Sequence, residues 1–449
     1  MKRESTTILY LAIAGGCCTY HCAAQSRGNV LVIVVDDLGK EMMSIYDTPT
    51  SIKAPTPNID RLAQQGVVFD NVWGAPLSAP ARAAMLTGRY GHHTGILSLG
   101  VTLPTSEQTL FEAMPEEYAN GVIGKWHLST DMNFAPNYGI DHFAGFAREG
   151  GVRDYYSWRF TQDGVTSLSN EYITTKITNS AKEWIAKQSS PWLCWVAYNS
   201  PHTPLHLPPK EMHTQKKLSG KAEDIEQNPM SYLVAMIESL DYDIGRLLES
   251  ADEHTTIILI GDNGTEKRLL QSPYSPRHGK GSLYDSGIAI PMVVSGRGVA
   301  QSGQRSGTLV SAVDIFPTVM EFAGVNMSSY EDGYSFARME SQRKYNFAEI
   351  MNQRLGYMNV VGDGRYKLIT RINGTEELYD TESDSLESRN LLQSSLTGGQ
   401  AAALESLRTE LKRLNIPLDS LSSQSNQSTQ QNRPSRPNQN RPNQNRQQR

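Results

Sequence analysis

Two pairs of polar residues stand directly after two strongly apolar segments of this 449-residue chain. Asp36 and Asp37 follow NVLVIVV, and Asp262 and Asn263 follow TTIILIG. Each pair alone is typical of the turn that ends a strand. If the two pairs meet, three carboxylates repel one another unless a cation lies between them, and oxygen ligands favour a hard cation such as Ca²⁺ or Mg²⁺. The two pairs together therefore predict a metal site.

Ser78 is the next candidate for chemistry. It lies in LSAPARAAMLTGR, where Pro80 and Arg82 stand at the start of an alanine-rich segment that favours a helix. A serine at this point of a helix is commonly an N-cap or a turn residue. Beside a metal ion, and near the positive end of a helix, the same hydroxyl is a candidate nucleophile. The elements that carry these residues decide between the two interpretations.

Four apolar segments have the pattern of strands buried on both faces of a parallel sheet. Polar residues follow each of them, and helical patterns lie between them, which predicts an α/β fold with its ligand crevice at the carboxyl ends of the strands. The four segments are NVLVIVVDDLG, ANGVIGKWHL, PWLCWVAYNSPHTP and TTIILIGDNG. The second ends at Lys125 and His127, and the third ends at His202. The helical patterns are NEYITTKITNSAKEWIAKQ and PMSYLVAMIESLDYDIGRLLES.

The character of the chain changes near residue 331. RYKLITRINGTEELYD predicts two short strands joined by a turn at Asn373-Gly374, and a helix is predicted over about residues 399–415. We therefore predict a large α/β domain over residues 25–330 and a smaller α+β domain over residues 331–420. Residues 421–449 are rich in Gln, Asn, Pro and Arg and predict a disordered tail.

The first 24 residues have the pattern of a secretory signal peptide, because two basic residues precede the short apolar run ILYLAIAGG. We predict an exported, periplasmic protein with no transmembrane helix. AGGC before Cys17 is typical of an outer-membrane lipoprotein, whereas CAAQ predicts a cut after Ala24 that leaves Cys194 as the only cysteine. The net charge of −5 offers no electrostatic basis for binding nucleic acid.

SAPAR followed by AAMLTGRYGHHTG resembles the signature of the sulfatase family, within the alkaline phosphatase superfamily. That signature is Cys or Ser, any residue, Pro, any residue and Arg, then an alanine-rich segment and TGR. Further stretches match in order, namely VVDDLG, GKWHL, SPHTP, GDNG, GKGSLYDSGIAIP, and the C-terminal GRYKLI and EELYDTESDSLESRNLL. The resemblance covers about residues 29–392. It implies an alkaline-phosphatase-like, mostly parallel central sheet flanked by helices, with a smaller C-terminal α+β domain.

The resemblance also implies hydrolysis of sulfate esters. In the family, the residue at the position of Ser78 is oxidised to formylglycine, and the serine form implies a radical-type bacterial maturase as a partner. The hydrated aldehyde has two hydroxyls, of which one attacks sulfur and the other allows sulfate to leave. The resemblance implies one Ca²⁺ ion as the metal cofactor, and its ligands would be Asp36, Asp37, Ser78, Asp262 and Asn263.

The remaining site residues carry roles that the resemblance implies. Arg82 would support the hydrate, and Lys125 would contact the hydrate and the sulfate. His127 would remove the proton that drives release of sulfate. His202 would protonate the leaving alcohol or bind near it, and Lys280 would bind the sulfate. Substrate contacts are therefore expected from Lys125, His202 and Lys280, with His278 as an additional candidate.

Residues 146–164 contain Arg148, Arg153 and Arg159 among aromatic residues. This composition fits either an ordinary surface loop or a segment that grips a sulfated sugar. We predict a sulfated carbohydrate as the substrate. Two alternatives stay open at this point. One is a phosphodiesterase or phosphonate hydrolase of the same superfamily, which usually binds two transition metals through more histidines. The other is a degenerate binding protein for sulfated glycans.

Overall fold

A computed structural model describes residues 27–147, 152–189, 191–299, 302–419 and 421 of the chain. The predicted signal peptide with its cysteines, Arg148, and residues 422–449 of the predicted tail lie outside the described residues. The described residues form sixteen β-strands, which are β1 Asn29–Val35, β2 Gly66–Trp73, β3 Ala119–Lys125, β4 His142–Phe146, β5 Trp158–Gln162, β6 Val165–Ser169, β7 Trp192–Tyr198, β8 Thr255–Gly261, β9 Met292–Gly296, β10 Gln304–Ser311, β11 Ser329–Tyr330, β12 Gly333–Tyr334, β13 Asn346–Asn352, β14 Gly356–Gly362, β15 Tyr366–Arg371 and β16 Glu376–Asp380.

Ten α-helices are present in the same ranges, and the two helical patterns between the apolar segments correspond to α5 Ile173–Ile185 and α7 Pro229–Leu248. None of the described helices is both long enough and apolar enough to cross a bilayer. The helices are α1 Pro57–Gln65, α2 Ser78–Thr87, α3 Gly91–Thr94, α4 Leu110–Ala113, α5 Ile173–Ile185, α6 Ala222–Gln227, α7 Pro229–Leu248, α8 Asp285–Ile288, α9 Ile315–Phe322 and α10 Gly398–Arg413.

A ten-stranded sheet in the order β10-β2-β9-β8-β1-β7-β3-β4-β5-β6 forms the centre of the fold. The strands from β8 to β4 in this order are parallel to one another. Antiparallel neighbours flank them, because β9 lies between β8 and β2 and the β5–β6 pair extends the other edge. The four apolar segments are the adjacent strands β8, β1, β7 and β3, so the predicted, mostly parallel α/β sheet is confirmed.

The central strand β1 shows why these segments have no polar face. Val30, Val32 and Val34 belong to one core cluster, together with residues of α2 and α9. The alternate residues of β1 belong to a second cluster with residues of α1, α5 and α7. Both faces of the sheet are therefore covered by helices, as a near-continuous apolar strand requires. Cys194 in β7 is buried and free, as predicted.

A separate antiparallel sheet, β13-β14-β15-β16, lies in the C-terminal part of the chain. The predicted hairpin corresponds to β15 and β16, and Gly374 in its turn has a φ of +82°, which glycine adopts without steric cost. The predicted C-terminal helix corresponds to α10. An ion cluster around a buried lysine joins this sheet to helix α8. The ammonium of Lys367 in β15 lies 2.7 Å from carboxylate oxygens of both Asp285 and Glu387.

The Lys367→Met variant is expected to lose about 3 to 5 kcal/mol of unfolding free energy, the usual cost of removing one partner of a buried ion pair. Lys367 and Glu387 are each 1% exposed, and burial raises the pKa of Glu387 to about 7 even beside the lysine. Urea unfolding at pH 7 measures the loss. Exposed Lys187 provides the control, since Lys187→Met should change the value by under about 0.5 kcal/mol. A loss below about 1 kcal/mol for Lys367→Met would contradict the prediction.

Candidate active site

The carboxyl ends of the adjacent parallel strands β8, β1, β7 and β3 meet at one edge of the large sheet. Parallel strands that are neighbours end side by side, so the residues that follow them come within contact distance although they are far apart in sequence. Asp36 and Asp37 follow β1, and Asp262 and Asn263 follow β8. Lys125 is the last residue of β3. The residues predicted to meet at the carboxyl ends of the strands therefore lie at this edge.

Asp36, Asp37 and Asp262 form a buried carboxylate cluster in which one ligand oxygen of each lies within 4.8 Å of the others. Asp37 has a φ of +65°, a conformation that non-glycine residues rarely adopt and that recurs at functional sites. Its Oδ2 atom is buried without a hydrogen-bond partner. An unpaired buried carboxylate oxygen among other oxygens fits a hard cation. Within the described ranges, this is the only group of three acidic, His or Cys side chains close enough to hold a metal.

Ser78 begins helix α2 and lies against this cluster. Its hydroxyl is 2.9 Å from Oδ1 of Asp36 and 3.0 Å from Oδ1 of Asn263, and the residue is 1% exposed. One hydroxyl proton can be donated to only one of these acceptors at a time. Ser78 makes no side-chain cap for its helix, whose N-cap position is Leu77. The N-cap interpretation of Ser78 is therefore wrong, because the serine hydroxyl contacts the side-chain oxygens of Asp36 and Asn263 and not the backbone of its helix.

Three cations balance the three carboxylates. Arg82 lies one turn after Ser78, donates from Nη2 to Oδ2 of Asp262 over 3.0 Å and leaves its buried Nε atom without a partner. The ammonium of Lys125 lies 2.5 Å from Oδ2 of Asp36, and that of Lys280 lies 2.5 Å from Oδ1 of Asp37. All three predicted cations therefore converge on the carboxylate cluster. A metal bound there would compete with both lysines for these oxygens.

The charges of the cluster shift its protonation equilibria. Burial would raise the pKa of Asp36, but Lys125, His202, Lys280 and Arg82 together hold the pKa of Asp36 well below 3.8. Burial and the neighbouring Asp36 raise the pKa of Asp262 to about 6. Burial lowers the pKa of Lys125 below its ordinary value, and the negative charge of Asp36 offsets only part of this shift. Sites where desolvation and paired charges separate pKa values in this way are typical of enzymes.

His127 is held neutral next to Lys125. Burial lowers the pKa of His127 to about 2, and the positive charges of Lys125 and Arg82 add to this shift. The residue has a φ of +68°, and its Nδ1 atom is buried without a hydrogen-bond partner. A neutral imidazole with an unpaired nitrogen is available to accept a hydrogen bond or a proton. Its predicted catalytic role stays a prediction.

His202 lies at the solvent side of the cluster, with a side chain that is 25% exposed. Its Nδ1 atom lies 2.6 Å from the carbonyl of Thr203, so Nδ1 carries the proton of the neutral ring. Its Nε2 atom is 3.7 Å from Oδ2 of Asp37. This imidazole therefore presents Nε2 to the site from the entrance.

The other predicted substrate contacts lie further out. The ring of His278 stacks on Tyr284 at 3.7 Å between centroids and bonds the backbone of Leu386 rather than a member of the carboxylate cluster. Arg153 and Arg159 are exposed. Their predicted contacts with a sugar stay predictions.

Asn199 is a further buried polar residue at this edge of the sheet, and the sequence analysis did not single it out. It has the same sequence signal as the aspartates, because it is a polar residue directly after an apolar strand, here β7.

Comparison with known proteins adds an independent line of evidence. A family model described as Sulfatase matches residues 28–325, and one described as N-sulphoglucosamine sulphohydrolase, C-terminal, matches residues 277–416. The chain is 24% identical over 436 residues to the arylsulfatase of Klebsiella aerogenes, which covers 72% of this chain and 92% of that protein. It is 26% identical over 351 residues to the N-acetylgalactosamine-6-sulfatase of Homo sapiens, in an alignment that covers 68% of this chain and 64% of that protein.

A solved structure shares the fold. BT4656 in complex with D-glucosamine-2-N,6-O-disulfate superposes with a TM-score of 0.72 at 20% sequence identity. The match covers 88% of this chain and 99% of that chain. At this identity the comparison supports the architecture alone.

Proposed function

The chain belongs to the sulfatase family and is a sulfuric ester hydrolase, and from this premise we propose that it removes sulfate from sulfated carbohydrates with a formylglycine formed from Ser78 and one Ca²⁺ ion. The observation that carries the proposal is the position of Ser78. Its hydroxyl lies at the start of a helix, against Asp36 and Asn263, and contacts a carboxylate cluster that is paired with three cations. No role as a helix cap accounts for this placement.

Asp36, Asp37, Asp262 and Asn263 would hold the calcium ion together with the side chain at position 78. When bound, the ion would orient the nucleophile and a sulfate oxygen, and the formylglycine hydrate would supply the hydroxyl that attacks sulfur. The donor set supports Ca²⁺ over zinc, because it consists of oxygens and has no thiolate or imidazole.

The cations of the site would bind the sulfate ester. Lys125 is buried and Lys280 has a side chain that is 15% exposed, and a largely desolvated ammonium beside the cluster interacts strongly with an anionic group. Arg82 holds Asp262, and its buried Nε–H has no hydrogen-bond partner. Preorganised positive charge stabilises the charge that develops on the leaving oxygen. His202, in its doubly protonated form, would donate the proton on Nε2 to that oxygen, or its ring would bind near it.

Exposed arginine and aromatic side chains in residues 152–164 favour a sulfated carbohydrate over a small apolar ester. Arg153 is exposed, and Tyr156, three residues further along the chain, is 39% exposed; an arginine and an aromatic ring of this kind can bind an anionic sugar through charge and stacking. The names of the relatives also support this substrate class, since the human relative is an N-acetylgalactosamine-6-sulfatase.

The cellular context follows from the sequence. The N-terminal pattern supports export to the periplasm, with lipoprotein processing at Cys17 and cleavage after Ala24 as the two alternatives. Serine at position 78, in place of cysteine, supports maturation by a serine-type, radical maturase.

The first test is the mass of the tryptic peptide from Leu62 to Arg82, in protein produced with a serine-type maturase. Ser78 is the only serine in this peptide, so a mass lower by two hydrogens assigns the modification without fragmentation. We expect this mass and reactivity of the peptide toward a hydrazide. The same peptide from cells without the maturase is the control. An unmodified serine in the presence of the maturase would instead favour a phosphoryl-transfer enzyme or a glycan-binding protein.

A further inference from the structure

A buried tyrosine lies beneath the loop that carries His202. Tyr155 is 1% exposed, and its hydroxyl is 2.5 Å from the carbonyl oxygen of His202. The same hydroxyl accepts a hydrogen bond of 2.8 Å from Nδ2 of Asn199. The backbone N–H of His202 donates to the carbonyl of Asn199 over 2.9 Å. The tyrosine oxygen therefore joins both ends of the turn from residue 199 to residue 202.

The ring and the backbone of Tyr155 are also held by contacts with other segments. Its ring stacks on His206 at 3.8 Å between centroids, and its carbonyl accepts a hydrogen bond from the backbone of Ile173 in α5. Burial raises the pKa of Tyr155 well above 10, so the hydroxyl keeps its proton and remains a donor. The backbone of His202 is thus attached to a rigid side chain of another segment.

The orientation of the His202 ring depends on this backbone. Its Nδ1 atom is bonded to the carbonyl of Thr203, the next residue, so the ring and the main chain of residues 202–203 form one unit. A shift of that main chain moves Nε2 relative to the site. A displacement of about 1 Å in a reacting group can cost about 100-fold in rate.

We infer that Tyr155 is a positioning residue that holds His202 against the leaving-group oxygen of the sulfate ester. The inference rests on the proposed function, because it assumes that His202 acts on the leaving group. The hydrogen bonds of the Tyr155 hydroxyl go to Asn199 and His202 in the turn and not to the carboxylate cluster, so we expect Tyr155 to act through the turn. The loss of kcat/KM on removal of its hydroxyl should therefore be larger for esters whose leaving group needs more protonation.

The experiment compares phenyl sulfate with 4-nitrophenyl sulfate in matured protein. The leaving phenol of the first ester is the more basic, so it requires more assistance. We expect Tyr155→Phe to lower kcat/KM about 30-fold for phenyl sulfate and under about 3-fold for 4-nitrophenyl sulfate. In a His202→Ala background, Tyr155→Phe should have no further effect on either ester, because the group that it positions is absent.

Tyr172→Phe is the matched control. Tyr172 is a buried tyrosine of the same aromatic cluster, but its hydroxyl pairs with Nε2 of His206 and does not contact the turn. This variant should keep the wild-type ratio between the two esters. If Tyr155→Phe does not fold, Asn199→Ala removes the donor to the Tyr155 oxygen and should show the same dependence on the leaving group.

Two results would overturn the inference while leaving the proposed function intact. One is equal slowing of both esters by Tyr155→Phe, and the other is a further loss when Tyr155→Phe is added to His202→Ala. Absence of sulfate release by the matured wild type from both aryl esters and from sulfated carbohydrates would overturn the proposed function and this inference together.

Discussion

A Ser78→Ala variant is expected to lose at least about 10⁴-fold in kcat/KM for any sulfate ester, because alanine offers no hydroxyl to attack sulfur and no group that can be oxidised to an aldehyde. The loss should come with intact folding. Alanine is a strong helix former at the start of α2, and Ser78 contributes no cap to that helix. Sulfate release, together with circular dichroism and melting temperature, measures both expectations.

The control for this variant is Ser167→Ala. Ser167 is exposed on β6, at the edge of the large sheet. Its removal should leave activity and stability unchanged. Full activity in Ser78→Ala would contradict the proposed nucleophile. Loss of activity with an unfolded spectrum would show instead that the Ser78 hydroxyl, through its contacts with Asp36 and Asn263, serves the fold.

Asp37→Asn is expected to weaken Ca²⁺ binding about 100-fold and to lower activity at limiting calcium by a similar factor, because it removes one of the three carboxylate charges. Asparagine is close in shape to aspartate and tolerates the positive φ at this position. Titration calorimetry of the unmodified protein measures the affinity directly. This readout does not depend on the maturation of Ser78.

Asp47→Asn is the control, because Asp47 is exposed and does not belong to the carboxylate cluster. It should leave calcium affinity unchanged. Partial recovery of the Asp37→Asn activity at high calcium would support a binding defect. Unchanged calcium affinity in Asp37→Asn would contradict the proposed metal site, and saturable zinc or manganese binding at two ions per chain would favour the phosphodiesterase alternative.

The sequence by itself determined the parallel core of the fold and most of the candidate site. Segments such as NVLVIVV and TTIILIG are apolar on both faces, and only a sheet covered on both sides accommodates such strands. Their carboxyl ends must then meet, which predicts convergence of Asp36, Asp37 and Asp262 before any coordinates are considered. Local periodicity carries this information, because it records which faces of a strand are buried.

Only the tertiary structure decided the order of the strands and the partners of individual side chains. The antiparallel strand β9 between β8 and β2, the attachment of Lys367 to Asp285, and the contact of Tyr155 with His202 join segments that no local pattern relates. Tyr155 stands among charged and aromatic residues in sequence, a composition that fits a surface loop as well as a buried support. The physical reason is that such contacts arise from packing across the whole fold, whereas periodicity reports only the burial of each element.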